Sequence, residues 1–345
     1  MRLPPELACP VHGTPLDEGP AEAGVLGSLR CAAGCSFPVR RGVPRFVETD
    51  AYAAGFGLQW NAFPRTQLDS YTGTRISRDR LARCLGGSLE IVFGQSVLEV
   101  GCGAGRFTEL LLASRARVFA CDLSNAVEAN LSNFGGADGY FVCQSDALAL
   151  PSRPGVFDFV IALGMLQHTP EPERTIAALA KALKPGGTLV LDHYRAPAPV
   201  LRLLAALMPR SLLRLLLLRL PPALSLLATS GLTRALLPVH RALWRRGPAV
   251  DRLRAVWRRL SPVADYYDAY PELGPHLEEW ALLETHDALT DRYKHLRRPE
   301  QIAQALHSAG LEVIDCRPGG NGIEARGRRP LSAERLPAPE EAAAR

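Results

Sequence analysis

The feature that most constrains this chain is a short apolar strand followed at once by a glycine-rich turn and a helix. Residues 97–100 predict a buried strand and residues 107–112 predict the helix. Between them, Gly101, Gly103 and Gly105 stand at every second position. Glycine adopts backbone angles that other residues avoid, and it lets a ligand approach the main chain closely. Unpaired N–H groups at the start of the helix point past the end of the strand. The stretch therefore predicts a ligand-binding turn; a turn that only joins the two elements is the alternative.

The pattern of this turn excludes two common nucleotide sites. A phosphate-binding loop would end in Gly-Lys-Ser or Gly-Lys-Thr, which is absent here. The dinucleotide pattern Gly-x-Gly-x-x-Gly/Ala also fails, because its last position falls on Arg106 or Thr108. What remains is Glu-x-Gly-x-Gly-x-Gly starting at Glu99, and a carboxylate at this place suits a cationic or amine-bearing ligand. The stretch resembles the first motif of class I S-adenosylmethionine-dependent methyltransferases, and this resemblance implies S-adenosyl-L-methionine as the cofactor.

Strands and helices alternate after the turn, as expected of an α/β fold. Apolar runs at 116–120, 140–143, 157–162 and 188–191 predict four further strands, separated by helices and Gly/Pro turns. We expect a Rossmann-like, doubly wound sheet that a C-terminal hairpin completes to seven strands, with ligands beyond the strand carboxyl ends. The predicted units are a zinc-ribbon-like segment (1–46), cofactor-lid helices (47–95), the core (96–194 and 298–327), a helical cap inserted after the fifth strand (195–297) and a disordered tail (328–345).

Acidic residues at the ends of the second and third strands extend the resemblance. Asp122 stands where an acid can accept hydrogen bonds from the two ribose hydroxyls. Asp146 resembles the residue that binds the adenine amino group, with Ala147 beside the ring; an Asp that caps a turn is the alternative. Gln59 and Trp60 resemble a segment that folds over the cofactor, although Trp60 packing against the sheet would give the same pattern. The predicted cofactor-binding residues are Trp60, Glu99, Gly101, Cys102, Gly103, Gly105, Asp122, Leu123, Asp146, Ala147 and Gly164.

Two histidines that follow strand ends are the candidate catalytic bases. His168 follows the fourth strand and His193 the fifth, so both fall at the ligand-binding edge of the predicted sheet. A base assists methyl transfer only when the nucleophile is a hydroxyl or an acidic carbon, and a structural role for either histidine stays open. Residues 163–166 read Leu-Gly-Met-Leu, where enzymes that methylate nucleic-acid amines or glutamine amides carry Asn/Asp-Pro-Pro-Tyr. This difference argues against nucleic acid as the acceptor.

The first 46 residues carry two short knuckles with the spacing of metal ligands. Cys9 and His12 form the first knuckle, and Cys31 and Cys35 form the second. Four such ligands match a closed tetrahedral zinc site, which would hold together a segment too short to have its own core. The segment resembles the zinc-ribbon proteins that activate tRNA and release-factor methyltransferases, which implies one structural zinc. His12 stands where those relatives usually have Cys, and the second knuckle has one spacer residue more, so a ribbon without its ion is the alternative.

Positive charge is concentrated in the predicted cap. Residues 195–260 contain thirteen Arg and one acid, Asp251, a balance of +12, whereas the whole chain carries +5 and the remainder therefore −7. Arg and Pro interrupt every apolar run here, so none is long enough to span a bilayer. We expect helices that are apolar inside and basic outside, admitting a lipophilic or anionic substrate or resting on an anionic membrane surface. A lid whose arginines are only solvated is the alternative.

Together these patterns predict a cytoplasmic methyltransferase that acts on a small, lipophilic or glycosylated metabolite. An apolar content of 47% is ordinary for a soluble protein, and residues 1–10 lack the apolar run of a secretory signal. Residues 265–267, 279–287 and 291–295 mix aromatic and titratable side chains, as a substrate pocket does; ordinary packing of a helical lid would give the same pattern. Two alternatives are an adaptor that binds and activates a partner methyltransferase, and an RNA-modifying methyltransferase that uses the basic cap.

Overall fold

The N-terminal part of the chain forms a small antiparallel sheet. The structure, a computed structural model, describes residues 3–20, 27–198 and 208–331. Four strands pair in sequence order: β1 (Leu16–Gly19), β2 (Gly27–Cys31), β3 (Ser36–Arg40) and β4 (Val43–Pro44). The sequence predicted the pair β3 and β4 but not β1 and β2, which are short and partly exposed and therefore carry little apolar signal.

The main body is a seven-stranded mixed sheet, and the Rossmann-like α/β fold predicted from the sequence is confirmed. Its strands are β5 (Ser96–Val100), β6 (Arg117–Asp122), β7 (Tyr140–Gln144), β8 (Phe157–Ala162), β9 (Leu183–His193), β10 (Glu312–Gly319) and β11 (Gly322–Arg328). They lie in the order β10-β11-β9-β8-β5-β6-β7, with β5 to β9 parallel and β11 antiparallel to both of its neighbours. The strands that follow β5 along the chain lie first on one side of it, as β6 and β7, and then on its other side, as β8 and β9. Folds of this kind bind ligands at such a switch point.

Helices cover both faces of this sheet. Consecutive residues of β5 point to opposite sides, so that Val97 packs in one buried cluster and Leu98 in the other. The helices are α1 (Ala54–Ala62), α2 (Asp69–Thr72), α3 (Ile76–Leu85), α4 (Thr108–Ala113), α5 (Ala126–Phe134), α6 (Pro172–Ala182), α7 (Pro209–Leu217), α8 (Pro222–Arg245), α9 (Asp251–Leu260), α10 (Leu277–Thr290) and α11 (Pro299–Ser308).

The inserted segment after β9 is helical, as its composition predicted. Helices α7 to α10 lie in it, and α10 packs against α7, α8 and α1. Its own buried cluster centres on Trp280, which is 1% exposed, with Leu237 of α8 and Leu273. The insertion thus has a small core of its own and closes over the region between α1 and the main sheet.

Two predicted boundaries differ from the structure. β9 begins at Leu183, five residues before the predicted strand, because Phe157 of β8 already pairs with Leu183. The predicted tail at 328–345 starts too early: Arg328 still pairs with Thr188, and the Arg329 N–H donates to the Gly187 carbonyl at 2.8 Å. Residues 332–345 of that predicted tail lie outside the described residues.

Candidate active site and candidate metal centre

Two glycines of the turn after β5, Gly101 and Gly103, lie on the wall of a cavity. Gly101 has φ +72° and Gly103 has φ +50°, in the left-handed region that favours glycine. A Cβ at Gly101 would lie 2.6 Å from Cβ of Met165, and one at Gly103 would lie 3.1 Å from Cε2 of Trp60. Side chains at these two positions would therefore collide with the walls of the cavity.

Asp122 lies directly above this turn and is held in place by it. Its Oδ2 accepts a hydrogen bond from the Gly103 N–H at 3.0 Å, and its Oδ1 accepts from the N–H and hydroxyl of Ser124 at 2.8 and 2.7 Å. Burial raises the pKa of Asp122, while the hydrogen bonds from Ser124 and Gly103 act in the opposite direction. The carboxylate is thus fixed by the main chain of the turn, at the position that the sequence predicted.

Glu99 and Gly105 do not lie on the wall of this cavity. The Glu99 side chain is buried below the turn, where its Oε2 accepts a hydrogen bond from the Thr108 hydroxyl at 2.6 Å. Burial raises the pKa of Glu99 to about 8, against the opposing effect of Thr108. Gly105 faces the ring of Phe134. In this structure both residues support the turn from below, and their contact with a ligand stays a prediction.

The other predicted cofactor residues meet in one large cleft at the carboxyl edge of the parallel strands. The cleft encloses about 1140 Å³ of empty space, part of it open to solvent. Asp146 lies on the wall while its Oδ1 accepts a hydrogen bond from the Leu148 N–H at 2.9 Å, so it also caps the turn. Gln59 lines the cleft with a buried Oε1 that has no partner among the described residues. The predicted residues on the wall are Trp60, Gly101, Cys102, Gly103, Asp122, Leu123, Asp146, Ala147 and Gly164.

Two arginines on the wall were not predicted from the sequence. Arg80, from α3, donates through Nε to Oδ2 of the fully buried Asp192 at 3.1 Å, and Oδ1 of Asp192 accepts from the Gly164 N–H at 2.6 Å. Arg106, in the glycine turn, donates to the Ser77 hydroxyl and to Gln67, and no described carboxylate lies within ion-pair distance of it. Burial lowers the pKa of Arg106 to about 10, so it remains a cation. A helix such as α3 gives no sequence signal for which of its arginines turns inward.

The cap closes one side of the cleft with acidic side chains. Glu284 and Asp287 of α10 lie on the wall with Leu283. Gln67 donates to Glu284 at 2.6 Å and the Tyr266 hydroxyl donates to it at 3.0 Å, whereas Oδ1 of Asp287 is buried without a partner among the described residues. Burial, together with the negative charge of Glu284, raises the pKa of Asp287 to about 8. Asp287 therefore carries a proton near neutral pH and can donate a hydrogen bond into the cleft.

The two candidate bases occupy different places. His168 lines the cleft, between the rings of Phe56 and Tyr194 at centroid distances of 5.3 and 5.4 Å. Its Nδ1 lies 3.2 Å from the Tyr293 carbonyl, an acceptor, so the proton resides on Nδ1 and leaves Nε2 free to accept one. Burial lowers the pKa of His168 to about 4, so the ring is neutral at pH 7. His193 is fully buried and does not line the cleft, so the structure brings only His168 to the site.

Part of the main sheet is similar to known methyltransferases. Residues 98–191 match the family described as methyltransferase domain. Among curated relatives, the ubiquinone biosynthesis O-methyltransferase of Methylococcus capsulatus is 37% identical over 100 residues, covering 28% of this chain and 42% of the relative. The enzyme of that name from Xanthomonas euvesicatoria is 34% identical over 156 residues, covering 44% of this chain and 62% of the relative. The chain thus spans less than two thirds of either relative.

Solved structures of methyltransferases are also similar to this chain. Magnesium protoporphyrin IX methyltransferase from Synechocystis, with bound SAH, matches with a TM-score of 0.43 and 16% identity over 81% of this chain and 97% of that one. A methyltransferase from Mesorhizobium loti, described as S-adenosylmethionine-dependent, matches with a TM-score of 0.42 and 15% identity over 73% and 98%.

The four predicted metal ligands converge at one end of the small sheet. Nδ1 of His12 lies 3.7 Å from Sγ of Cys9 and 3.5 Å from Sγ of both Cys31 and Cys35, and all four ligand atoms lie within 4.8 Å of one another. Ligands at zinc bond lengths of about 2.0–2.3 Å in a tetrahedron are separated by similar distances. Three thiols and one imidazole are also the donor set that zinc prefers. The residues present therefore fit a closed zinc site.

Proposed function

We propose that this protein is an S-adenosylmethionine-dependent methyltransferase that methylates a hydroxyl group of a small, lipophilic molecule. The observation that carries the proposal is that the glycine turn, Asp122 and Asp146 lie on one wall of a single cleft, within the region that matches methyltransferase domains. The names of the relatives from Methylococcus and Xanthomonas support oxygen as the acceptor atom.

The cleft offers partners for each part of the cofactor. Asp122 would accept hydrogen bonds from the ribose hydroxyls, and Asp146 with Ala147 would meet the adenine ring. Gly101 lies on the wall of the cleft and has no side chain, so the amino acid part would approach the end of β5 closely. Arg80 and Arg106 supply positive charge for its carboxylate, and Arg106 has no competing carboxylate among the described residues.

The acceptor would occupy the space between His168 and the cap. Phe56, Tyr194 and Leu283 give this part of the wall its apolar surface, which suits a lipophilic ring or chain. Asp287, protonated near neutral pH, can donate a hydrogen bond to an acceptor oxygen, and Glu284 can accept one from a hydroxyl. Neither carboxyl group on the cap side offers positive charge to an anionic acceptor.

The protein contributes orientation and proton transfer to the reaction. When bound, the cofactor would supply a methyl group on a sulfonium, and loss of that methyl group to the acceptor oxygen would leave the cofactor as a thioether. The walls of the cleft hold the acceptor oxygen in line with that methyl group, and such positioning supplies most of the acceleration in reactions of this kind. His168, neutral at pH 7 and free at Nε2, accepts the hydroxyl proton.

The zinc site has a structural role in this proposal. Cys9, His12, Cys31 and Cys35 would provide all four ligands, which leaves no open position for catalysis. The ion would fix the knuckles of the small sheet, which has few buried residues of its own.

Transfer of a labelled methyl group tests this function directly. Purified protein is incubated with methyl-tritiated S-adenosylmethionine and with the organic-solvent and aqueous fractions of a cell extract. We expect the label in the organic-solvent fraction, in a product whose new methyl group resists alkaline hydrolysis, as that of an ether does and that of an ester does not. Binding of S-adenosylhomocysteine without transfer to either fraction would favour the adaptor, and label in RNA would favour the RNA-modifying enzyme.

A further inference from the structure

Six leucines stand exposed across the turn that joins α7 and α8. Each is between 42% and 69% exposed, although leucines that are exposed to this extent usually occur singly on a protein surface. We name this set the leucine surface; its members are Leu212, Leu215, Leu216, Leu220, Leu224 and Leu227.

The leucine surface faces outward because the opposite side of α7 is fixed to the rest of the cap. Nε of Arg214 donates to Oδ1 of the fully buried Asp291 at 2.8 Å. Leu217 is 5% exposed, and its carbonyl accepts a hydrogen bond from the Ser225 hydroxyl at 2.9 Å. A rotation of α7 that buried the leucines would break these buried contacts. The exposure therefore follows from packing, and it leaves an apolar face in water.

Positive charge surrounds this apolar face. Residues 209–260 contain eleven Arg and one acid, Asp251. Arg219 stands between Leu216 and Leu220 in the sequence. On α8, Arg234 follows Leu227 by seven residues, a spacing that places these two residues on the same side of the helix. The side chains of six of these arginines are exposed and make no ion pair or hydrogen bond within the described ranges; they are Arg219, Arg234, Arg245, Arg246, Arg252 and Arg259.

Helix α9 repeats the same composition at the other end of α8. None of its residues is buried, and Leu253, Val256 and Leu260 share one face by their spacing of three and four. Each of the three is 51–54% exposed, with Arg252 and Arg259 beside them. Contacts of α9 with the segment that follows it are made by Arg254 and Arg258, which pair with Asp265 and Asp268, so its leucine and valine face stays exposed. This pattern is typical of helices that lie in a membrane interface.

We propose that the leucine surface and the arginines around it dock on an anionic phospholipid bilayer. Leucines that enter the acyl region leave water, and arginines at the same level meet the lipid phosphates. A second copy of the chain would bring the same arginines against one another, so charge opposes that occupant. RNA would pair with the arginines but leave the leucines in water. Among the described residues, no helix combines the length and hydropathy needed to cross the bilayer, so the contact is with its surface.

Vesicle sedimentation tests the docking surface. The full chain is mixed with vesicles of phosphatidylcholine alone, and with vesicles that also contain phosphatidylglycerol. We expect binding to the mixed vesicles and about tenfold weaker binding to the neutral ones, with salt weakening the former. The variant Leu215→Ser/Leu216→Ser/Leu227→Ser should bind mixed vesicles at least about tenfold more weakly. The variant Arg219→Gln/Arg234→Gln should lose binding to mixed vesicles by about tenfold as well.

Exposed apolar residues elsewhere provide the control. Val313→Ser/Ile314→Ser on β10 removes side chains that are 40% and 39% exposed, and it should change binding by less than about twofold. Circular dichroism shows whether each variant is folded. If the leucine variant does not fold, the arginine variant still tests the proposal. Equal binding to both kinds of vesicle, or none by the wild type, overturns the proposal. The proposal is also overturned if the wild type forms a dimer that dissociates when the leucines are replaced, and if the wild type does not bind vesicles.

Discussion

At the scale of single residues, the candidate site depends on a few side chains whose charge is set by burial. Asp122 is held by backbone N–H groups of the glycine turn and of Ser124. His168 and Asp287 are both uncharged near neutral pH, because burial disfavours their ionised forms. The cleft therefore combines a carboxylate held by main-chain N–H groups, a neutral imidazole and a protonated acid. This combination suits an acceptor that is itself neutral.

Replacement of Asp122 tests the ribose contact. Asp122→Ala should weaken the binding of S-adenosylhomocysteine by ~1–3 kcal/mol, because a charged hydrogen-bond acceptor is lost. Isothermal titration calorimetry measures the change. Asp138→Ala, at an exposed position in the loop before β7, is the control and should leave the affinity unchanged. An Asp122→Ala variant that binds as tightly as the wild type would remove Asp122 from the cofactor site.

The protonation of His168 is a second measurable property. The folded chain should protonate His168 only near pH 4, whereas the unfolded chain protonates it near 6.5. Between these values the unfolded state binds more protons, so this residue lowers the stability of the fold as the pH falls through that window. Nuclear magnetic resonance of the labelled ring, assigned by its loss in His168→Asn, reports the midpoint. A midpoint near 6.5 would contradict the buried position and the neutral base.

At the scale of elements, a buried hydrogen-bond network joins the helices of the cap. Nδ1 of His240 lies 2.5 Å from Oδ2 of Asp265, and Nε2 lies 2.8 Å from the hydroxyl of Ser261. Burial would raise the pKa of Asp265, but hydrogen bonds from His240 and Arg258 lower it to about 2. The arrangement resembles a hydrolase triad in its residue types, yet Ser261 is 4% exposed and does not line the small cavity beside His240 and Asp265. Its role is to fix α8 to the segment that follows α9.

Removal of the buried acid should loosen the cap without disturbing the sheet. Asp265→Ala leaves His240 buried without its partner and should lower the free energy of unfolding by about 3 kcal/mol. Asp268→Ala removes a 42% exposed partner of Arg254 and Arg258, and it should cost less than about 1 kcal/mol. Urea unfolding followed by Trp fluorescence compares the two variants. Equal losses would show that the network around His240 contributes nothing specific.

At the scale of the whole molecule, the small N-terminal sheet protects an edge of the main one. β7 is an edge strand, and the Phe46 N–H donates to the Gln144 carbonyl at its end at 2.8 Å. Arg45, 5% exposed, donates to Gln144 at 3.0 Å and to Glu128 of α5 at 2.7 Å. An unprotected edge strand pairs readily with other chains. The zinc-ribbon-like segment thus stabilises the core as well as its own knuckles.

Metal removal tests this connection. We expect one zinc per chain by elemental analysis, and its loss in Cys31→Ala. A chelator should unfold the small sheet and promote aggregation, because the end of β7 becomes exposed. Cys316→Ala, at a partly buried thiol outside the cluster, should keep the metal. A wild-type chain that contains no zinc and melts identically with and without chelator would show that the knuckles are held by packing alone.

Local sequence was sufficient to predict the central strands, in their order along the chain, and the turn that carries the glycines. These are local features: the short, mainly apolar run at 97–100 followed by Gly101 and Gly103 restricts the backbone without help from the rest of the chain. The spacing of Cys9, His12, Cys31 and Cys35 was likewise sufficient to predict a cluster. Asp122 could be placed because the end of a parallel strand always lies at the ligand-binding edge.

Which side chains face the cleft depends on contacts between distant parts of the chain, and local sequence did not predict it. Arg80 and Asp287 belong to helices whose neighbours carry similar charges, and periodicity does not show which charge a distant element will bury. His168 and His193 both follow strand ends, but the first turns into the cleft while the second is enclosed by β11, which enters the sheet about 130 residues later. Long-range packing therefore determines which histidine lines the cleft, as it determines which leucines of the cap remain in water.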